Sequence, residues 1–452
     1  MKNKLFAWGV CCLLGFSGIV AAQLPVRLVV MTDIGGDPDD QQSLVRLLVH
    51  SDQVELEGLL TSSRLEHGQD TRPELIYEEL DAYEKVYPNL LIHSKKFPTP
   101  NSLRNIVRQG QGDQEAFGEG HDTPASDWLI EVVDKPDTRP VWVTAWGGQR
   151  ELAQALWKIK STRSPEEVQA FVRKLRVYVI ENQDGHERWI LKNFPHLFLI
   201  SAGYVNLGSP LSPKVREYSA VRGMYMTGDE TLTSRAWVQE HLKGKENPMA
   251  AVYPLDGGGV NGLKEGDTPS FNGLLPNGLN ISERPDWGGF GGRFRKLKNH
   301  LYTDIVDFQN GIWNERHTVS RWRSYYQNDF IARLDWCVRS YAEANHHPVA
   351  ILNRQAGADV LQITAKAEEK VKLSALGSTD PDKNTLQYKW WNYWEAGSYS
   401  GNVNPINDDK IECTFPIPSD AVPGTVFHLI LEVTDNGIPA LTAFRRGIIK
   451  VE

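Results

Sequence analysis

The stretch Arg27-Leu28-Val29-Val30-Met31-Thr32-Asp33-Ile34-Gly35-Gly36-Asp37-Pro38-Asp39-Asp40 decides the fold. It opens as a near-continuous apolar run, the mark of a strand buried on both faces, and breaks at a Gly/Asp-rich turn. A helical period follows over Ser43–Ser51, then a second apolar strand over Val54–Ser63. The same order of strand, turn and helix returns at Pro140–Ile159 and Arg173–Phe194, and a further strand lies in His196–Gly203. Strands of this kind alternating with helices predict an α/β fold with a mostly parallel open sheet and helices on both faces.

Open α/β sheets keep their ligands at the carboxyl ends of strands. There the first turn places Asp33, Asp37, Asp39 and Asp40, four carboxylates within eight residues. Like charges so close call for a shared cation or proton. Calcium, with six to eight hard oxygen ligands, suits them best. The plainer alternative is that Asp39 and Asp40 only cap and charge a helix N-terminus.

The rest of the 452-residue chain bounds the possibilities. Residues 1–22 read as a signal peptide: Lys2 and Lys4, an apolar run from Leu5 to Val20, then Ala21-Ala22-Gln23, with cleavage after Ala22. The mature protein is therefore expected outside the cytoplasm, periplasmic or extracellular, and no second apolar run is long enough for a membrane span. A net charge of −8 without a Lys/Arg cluster gives no nucleic-acid footprint. Cleavage leaves Cys337 and Cys413, which either pair or sit as separate core thiols. After the helical stretch ending near Ala344 the pattern changes to short alternating strands with Asp/Pro/Gly turns. That change predicts an immunoglobulin-like β-sandwich over 347–452, following an α/β domain over 23–346. The Gly/Pro/Asp-rich chain between Ser209 and Arg295 is expected to form loops around the site. No Lys-Ser/Thr follows Gly257-Gly258-Gly259 or Gly288–Gly292, so neither is a phosphate loop, and serine-hydrolase and zincin motifs are absent.

The Asp turn resembles the Asp-x-Asp-Pro-Gly-x-Asp-Asp signature of the nucleoside hydrolases. Leu44, Leu47 and Leu48 fall where that family has apolar helix positions, and Glu265-Gly266-Asp267 stands where it has His-Asp. The whole chain is more similar still to exported bacterial proteins described as cellulose-binding with a nucleoside-hydrolase-like domain, through Thr32-Asp33-Ile34, Pro38–Gln41, Glu265–Phe271 and Gln327–Phe330. The resemblance implies that Asp33, Asp39, Asp40 and Asp267 ligate Ca²⁺ with the Trp146 carbonyl. It also implies that Asp33 takes a proton from a metal-bound water. Departures matter: two residues are inserted between Asp33 and Asp39, Met31 replaces an aspartate, Glu151 an asparagine, and Gly266 the histidine that protonates a leaving base. Losing that histidine argues for a carbohydrate over a nucleoside substrate, so the expected activity is an exported Ca-dependent glycoside hydrolase. A nucleoside N-ribohydrolase and a non-catalytic carbohydrate-binding protein are the alternatives.

Loop residues at strand ends supply further candidates: Asn182, Gln183, Asp184, Arg64 and Asp37 for sugar hydroxyls, and Glu265 or His186 as acid. The bland reading of Arg64 and His186 is ordinary packing or surface placement. Fourteen tryptophans are many for this length, and an indole stacks well on a sugar's C–H face. Trp142, Trp322, Trp336, Trp390 and Trp394 fall in patterned elements and are expected in cores. Trp146, Trp189, Trp287 and Trp313 fall at strand ends or Gly-rich loops, and Trp146 and Trp287 are expected beside Asp33.

Overall fold

The structure, a computed structural model, describes residues 24–64, 67–203, 218–244, 246–255 and 262–452. The signal-peptide reading of residues 1–22 and the run Gly257-Gly258-Gly259 lie outside the described residues. The chain runs β1 (Val26–Thr32), α1 (Asp39–Val49), β2 (Val54–Thr61), α2 (Pro73–His93), α3 (Pro100–Arg104), β3 (Val107–Gln109), α4 (Pro124–Asp134) and β4 (Val141–Ala145). It continues through α5 (Arg150–Thr162), α6 (Pro165–Lys174), β5 (Leu175–Ile180), α7 (Glu187–Asn193), β6 (Phe198–Ala202), β7 (Phe294–Lys298) and β8 (Leu301–Asp304). These strands form one sheet in the order β3-β2-β1-β4-β5-β6-β8-β7, parallel except where β7 meets β8.

The apolar run of β1 is explained by its two neighbours above and below. Leu28 and Val30 enter a core with Leu44, Leu47, Leu80 and Phe330, while Val29 and Met31 enter a second core with Leu129, Leu152 and Ile190. Alternate residues thus feed opposite faces, and every position must be apolar. Chain order reverses between β1 and β4, so the connections leaving their carboxyl ends diverge and open a crevice.

After the hairpin β9 (Asp307–Gln309) and β10 (Ile312–Asn314) and the helix Arg323–Trp336, the chain enters the all-β part. Its strands are β11 (Leu361–Ala365), β12 (Lys370–Ser374), β13 (Gln387–Asn392), β14 (Glu412–Pro416), β15 (Val426–Thr434) and β16 (Thr442–Val451). They form the sheets β11-β16-β15-β13 and β12-β14 around Trp390, Phe415, Phe427, Leu429 and Leu431. Cys337 and Cys413 are both buried free thiols, each in a different core. Trp142, Trp322, Trp336 and Trp390 are buried as expected. Trp394 is not: the chain leaves β13 after Asn392 and carries Trp394 in a half-buried 3₁₀ turn. Among the described residues no helix is long and apolar enough to cross a membrane.

Buried charges join the two parts. Asp307 accepts hydrogen bonds from Arg293 Nε (2.7 Å), Arg321 Nη1 (2.7 Å) and the Tyr393 hydroxyl (2.6 Å). Arg446, with no exposure, donates to the carbonyls of Leu279, Trp287 and Gly288. Gly278 has φ +83°, and a Cβ there would overlap the Phe444 carbonyl, so only glycine permits the approach. Replacing Asp307 with Ala leaves Arg293 without its carboxylate and Arg321 with Glu395 alone, and should cost about 3–5 kcal/mol in urea unfolding; a loss under about 1 kcal/mol would contradict this assignment.

Candidate functional site

Asp33 follows β1 directly and lies in the crevice beside β4, nearly buried. The Gly36 amide donates to the Asp33 carbonyl (3.0 Å), closing the turn, and Gly35 has φ +86°. Arg64 donates to the Gly35 carbonyl (2.8 Å) and pairs with Asp70, so it braces the turn from outside. A Cβ on Gly147, just past β4, would overlap the Asp33 carboxylate. Asp39 and Asp40 stand in the first turn of α1, yet α1 has no side-chain cap. Asp40 instead accepts from the Thr32 hydroxyl. Asp267 comes in from the far chain at the start of the helix Thr268–Asn272. One carboxylate oxygen from each of Asp39, Asp40 and Asp267 lies within 4.8 Å of the others.

Burial, with neighbouring negative charge, makes ionisation of this group costly. Desolvation and then Asp39 push the Asp33 carboxyl up to about 7. Desolvation pushes Asp39 up to about 6 against the pull of Lys264. Asp40 and Asp267 are raised well above the carboxylate range, by burial first and by their neighbours second. Asp267 Oδ2 is buried without a hydrogen-bond partner. An all-oxygen set of four acidic groups, one with an orphaned oxygen, fits a hard divalent cation such as Ca²⁺. The fit leaves Asp37 aside, because its Oδ2 accepts from Lys264 Nζ (2.6 Å) at a half-exposed edge.

The other expected residues distribute unevenly. Gln183 donates to the carbonyls of Trp146 (2.8 Å) and Ile180 (3.0 Å), tying the ends of β4 and β5. Asn182 keeps a buried Oδ1 without a partner. The Asp184 carboxylate lies against Gly148 and accepts from the His186 amide (3.1 Å). His186 Nε2 meets the Gln114 carbonyl (2.6 Å) and its ring packs edge-on to Phe117, a packing role. Glu265 is corrected outright as a candidate acid. It has no exposure, and its oxygens take Arg46 at 2.5 and 3.0 Å, the Tyr253 hydroxyl at 2.7 Å and the Thr268 hydroxyl at 2.8 Å. It anchors the segment that delivers Asp267.

Trp146 does stand beside the Asp33 turn, its amide donating to the Met31 carbonyl (2.9 Å), but the expected stacking role of the tryptophans is corrected. The Trp146 indole is buried, donates to Ser270 Oγ (3.0 Å) and meets Phe271, forming floor and not wall. Trp287 packs against Arg284, His428 and Arg446, at the contact with the sandwich. Trp189 packs between Phe117 and Phe194, and Trp313 lies on the β9–β10 hairpin.

Glu181, the first residue of the strand-end loop, and two residues that no motif singled out complete the surroundings. Glu181, at the end of β5, holds φ +63°, a strained conformation for a non-glycine residue. It accepts from Arg222 Nε (3.1 Å), and Arg222 Nη1 donates to the Tyr225 hydroxyl (2.7 Å). A Cβ on Gly266 would lie 3.1 Å from Asp39 Oδ2 and 3.8 Å from the Tyr225 ring, so Tyr225 flanks the space a longer residue at 266 would enter. Arg222 and Tyr225 sit in the irregular stretch expected to form site loops, which was their only signal.

Next to Asp184, burial pushes the Glu187 carboxyl from an ordinary 4.5 up to about 7, with the Ser201 hydroxyl donating to it (2.8 Å). A raised folded-state value means the unfolded chain releases this proton first. The carboxyl therefore subtracts stability increasingly as pH climbs from the unfolded value to about 7. Relative to wild type, Glu187→Gln should gain on the order of 2 kcal/mol between pH 5 and pH 8 in chemical unfolding; a pH-independent difference would contradict the burial account.

The family model described as "Cellulose-binding Sde182, nucleoside hydrolase-like domain" matches residues 27–294. The model "Cellulose-binding protein Sde0182, C-terminal domain" matches residues 370–451. A solved nucleoside hydrolase-related hypothetical protein from Saccharophagus degradans, associated with carbohydrate metabolism, is 36% identical over 95% of this chain and 100% of its own, with a TM-score of 0.79. The effector protein XOO4466 is 12% identical over 69% of this chain and 95% of its own, with a TM-score of 0.34. No curated protein matches.

Proposed function

We propose that this chain, which belongs to the family described as cellulose-binding with a nucleoside hydrolase-like domain, is an exported, calcium-dependent hydrolase of a glycosidic bond in a carbohydrate. The observation that carries the proposal is the convergence of Asp39, Asp40 and Asp267 in the crevice between β1 and β4, with Asp267 Oδ2 unpartnered and the Asp33 carboxyl close enough to feel their charge. The carboxylates of these four residues would hold the ion. The Trp146 carbonyl would add a second lone pair, the first being used by Gln183. A bound Ca²⁺ would supply the charge that keeps buried carboxylates ionised and would lower the pKa of a water in the site.

The chain's own groups divide the remaining work. Asp33, given room by Gly147 and kept ionised by the bound cation, would take a proton from the attacking water. Glu181 and Arg222 hold Tyr225 at the side opened by Gly266, where the departing group would lie. Gly266 offers no proton to a nucleobase, and a histidine there would crowd Asp39. The sugar half of nucleoside-hydrolase chemistry is thus kept and its base half is not, which favours a glycan over a nucleoside.

Two measurements check this reading. With Ca²⁺ and a panel of oligosaccharides, aryl glycosides and nucleosides, the protein should release sugar from a glycan, and Asp33→Ala should lose at least about a hundredfold of that rate. Nucleobase release would establish an N-ribohydrolase instead, and glycan binding without turnover would leave only a binding protein. In titration calorimetry, Ca²⁺ uptake should be lost in Asp40→Ala and Asp267→Ala; unchanged uptake in both refutes the cation site.

A further inference from the structure

A second feature lies outside the acidic crevice, where β9 and β10 meet the sandwich. Phe308 and Trp313 stand directly opposite each other on the two strands, 38% and 51% exposed, with ring centres 5.2 Å apart. Trp394, from the sandwich, lies 5.4 Å from Trp313 and 6.4 Å from Phe308. Ile312 is 61% exposed alongside them. Two exposed rings and an exposed isoleucine, backed by the half-buried Trp394, are costly unless something covers them.

Their support is rigid. Asn310 and Gly311 close the hairpin with φ of +52° and +82°, the signature of a tight two-residue turn matched to strand twist. At its base, Asp307 is clamped by Arg293, Arg321 and Tyr393. Glu395 accepts from Arg321 (3.2 Å) and from the Phe308 amide (3.3 Å). The ion network that docks the sandwich therefore also fixes the rings before any ligand arrives.

We propose that Phe308, Trp313 and Trp394 form a glycan-binding platform for a single neutral polysaccharide chain. The hairpin tip, Gln309-Asn310-Gly311, offers amides and no charge, as suits an uncharged polyol with apolar C–H faces. The rings are turned 50°, 65° and 77° from one another. No flat crystalline face can lie on all three, whereas a separate, twisted chain can present successive sugar faces to them. The helix His317–Ser320, which follows the hairpin, packs on the Ala220–Met224 turn carrying Arg222, so the platform and the acidic crevice share a continuous support.

This proposal rests on the carbohydrate part of the proposed function but not on turnover, and the test separates them. In Asp33→Ala mature protein, migration in gels containing soluble β-glucan and depletion onto amorphous cellulose should show binding. Adding Trp313→Ala should weaken it about tenfold with an unchanged melting temperature. Microcrystalline cellulose should retain far less protein. Trp313→Ala alone should leave cleavage of a short aryl glycoside intact. Binding unchanged by Trp313→Ala, a preference for the crystalline surface, or no glycan binding overturns the proposal. So does a dimer in sedimentation that Trp313→Ala dissolves, which would make the rings a self-association surface.

Discussion

Bringing four carboxylates out of water at one point is the constraint on which the site depends, because each added negative charge raises the cost of ionising the others. Many neighbouring choices serve that concentration of charge. Gly147 removes the side chain that would displace Asp33, and Thr32 donates to Asp40 from the last position of β1. The buried Arg46–Glu265 pair joins α1 to the segment before Asp267, so two regions more than two hundred residues apart arrive together. Lys264 takes Asp37 at the rim and offsets part of the field on Asp39. A divalent cation is the economical complement to such a cluster, and the strand order supplies the crevice to hold it.

How much of this was legible depended on whether the signal was local. The sheet could be read from β1 because a strand buried on both faces has no polar alternation, and its residues do feed two cores. Asp33, Asp39 and Asp40 could be read because they share one turn. Asp267 needed the family resemblance, since nothing local separates it from Glu265 two positions earlier. Only the structure reveals that Arg46, Tyr253 and Thr268 consume the Glu265 oxygens. Arg222 and Tyr225 were unread because irregular chain carries no period from which a side chain's direction follows.

Tryptophan content illustrates the same limit differently. Its excess suggested stacking surface beside the acidic turn, but composition has no coordinates. Trp146 serves as floor, Trp287 as contact with the sandwich, and the exposed indole is Trp313. The sandwich is likewise more than an appended module, because Arg446 and the Asp307 network bury charges across the junction. The acidic crevice and the cluster of Phe308, Trp313 and Trp394 are thereby held on one scaffold.

Whether the acidic crevice holds calcium decides how the rest of the site is understood. Anomalous diffraction from crystals equilibrated with Ca²⁺ tests it most directly. One strong peak is expected, with oxygens of Asp33, Asp39, Asp40 and Asp267 at about 2.3–2.6 Å. Saturating Ca²⁺ with no peak there, or a peak held by other residues, would contradict it.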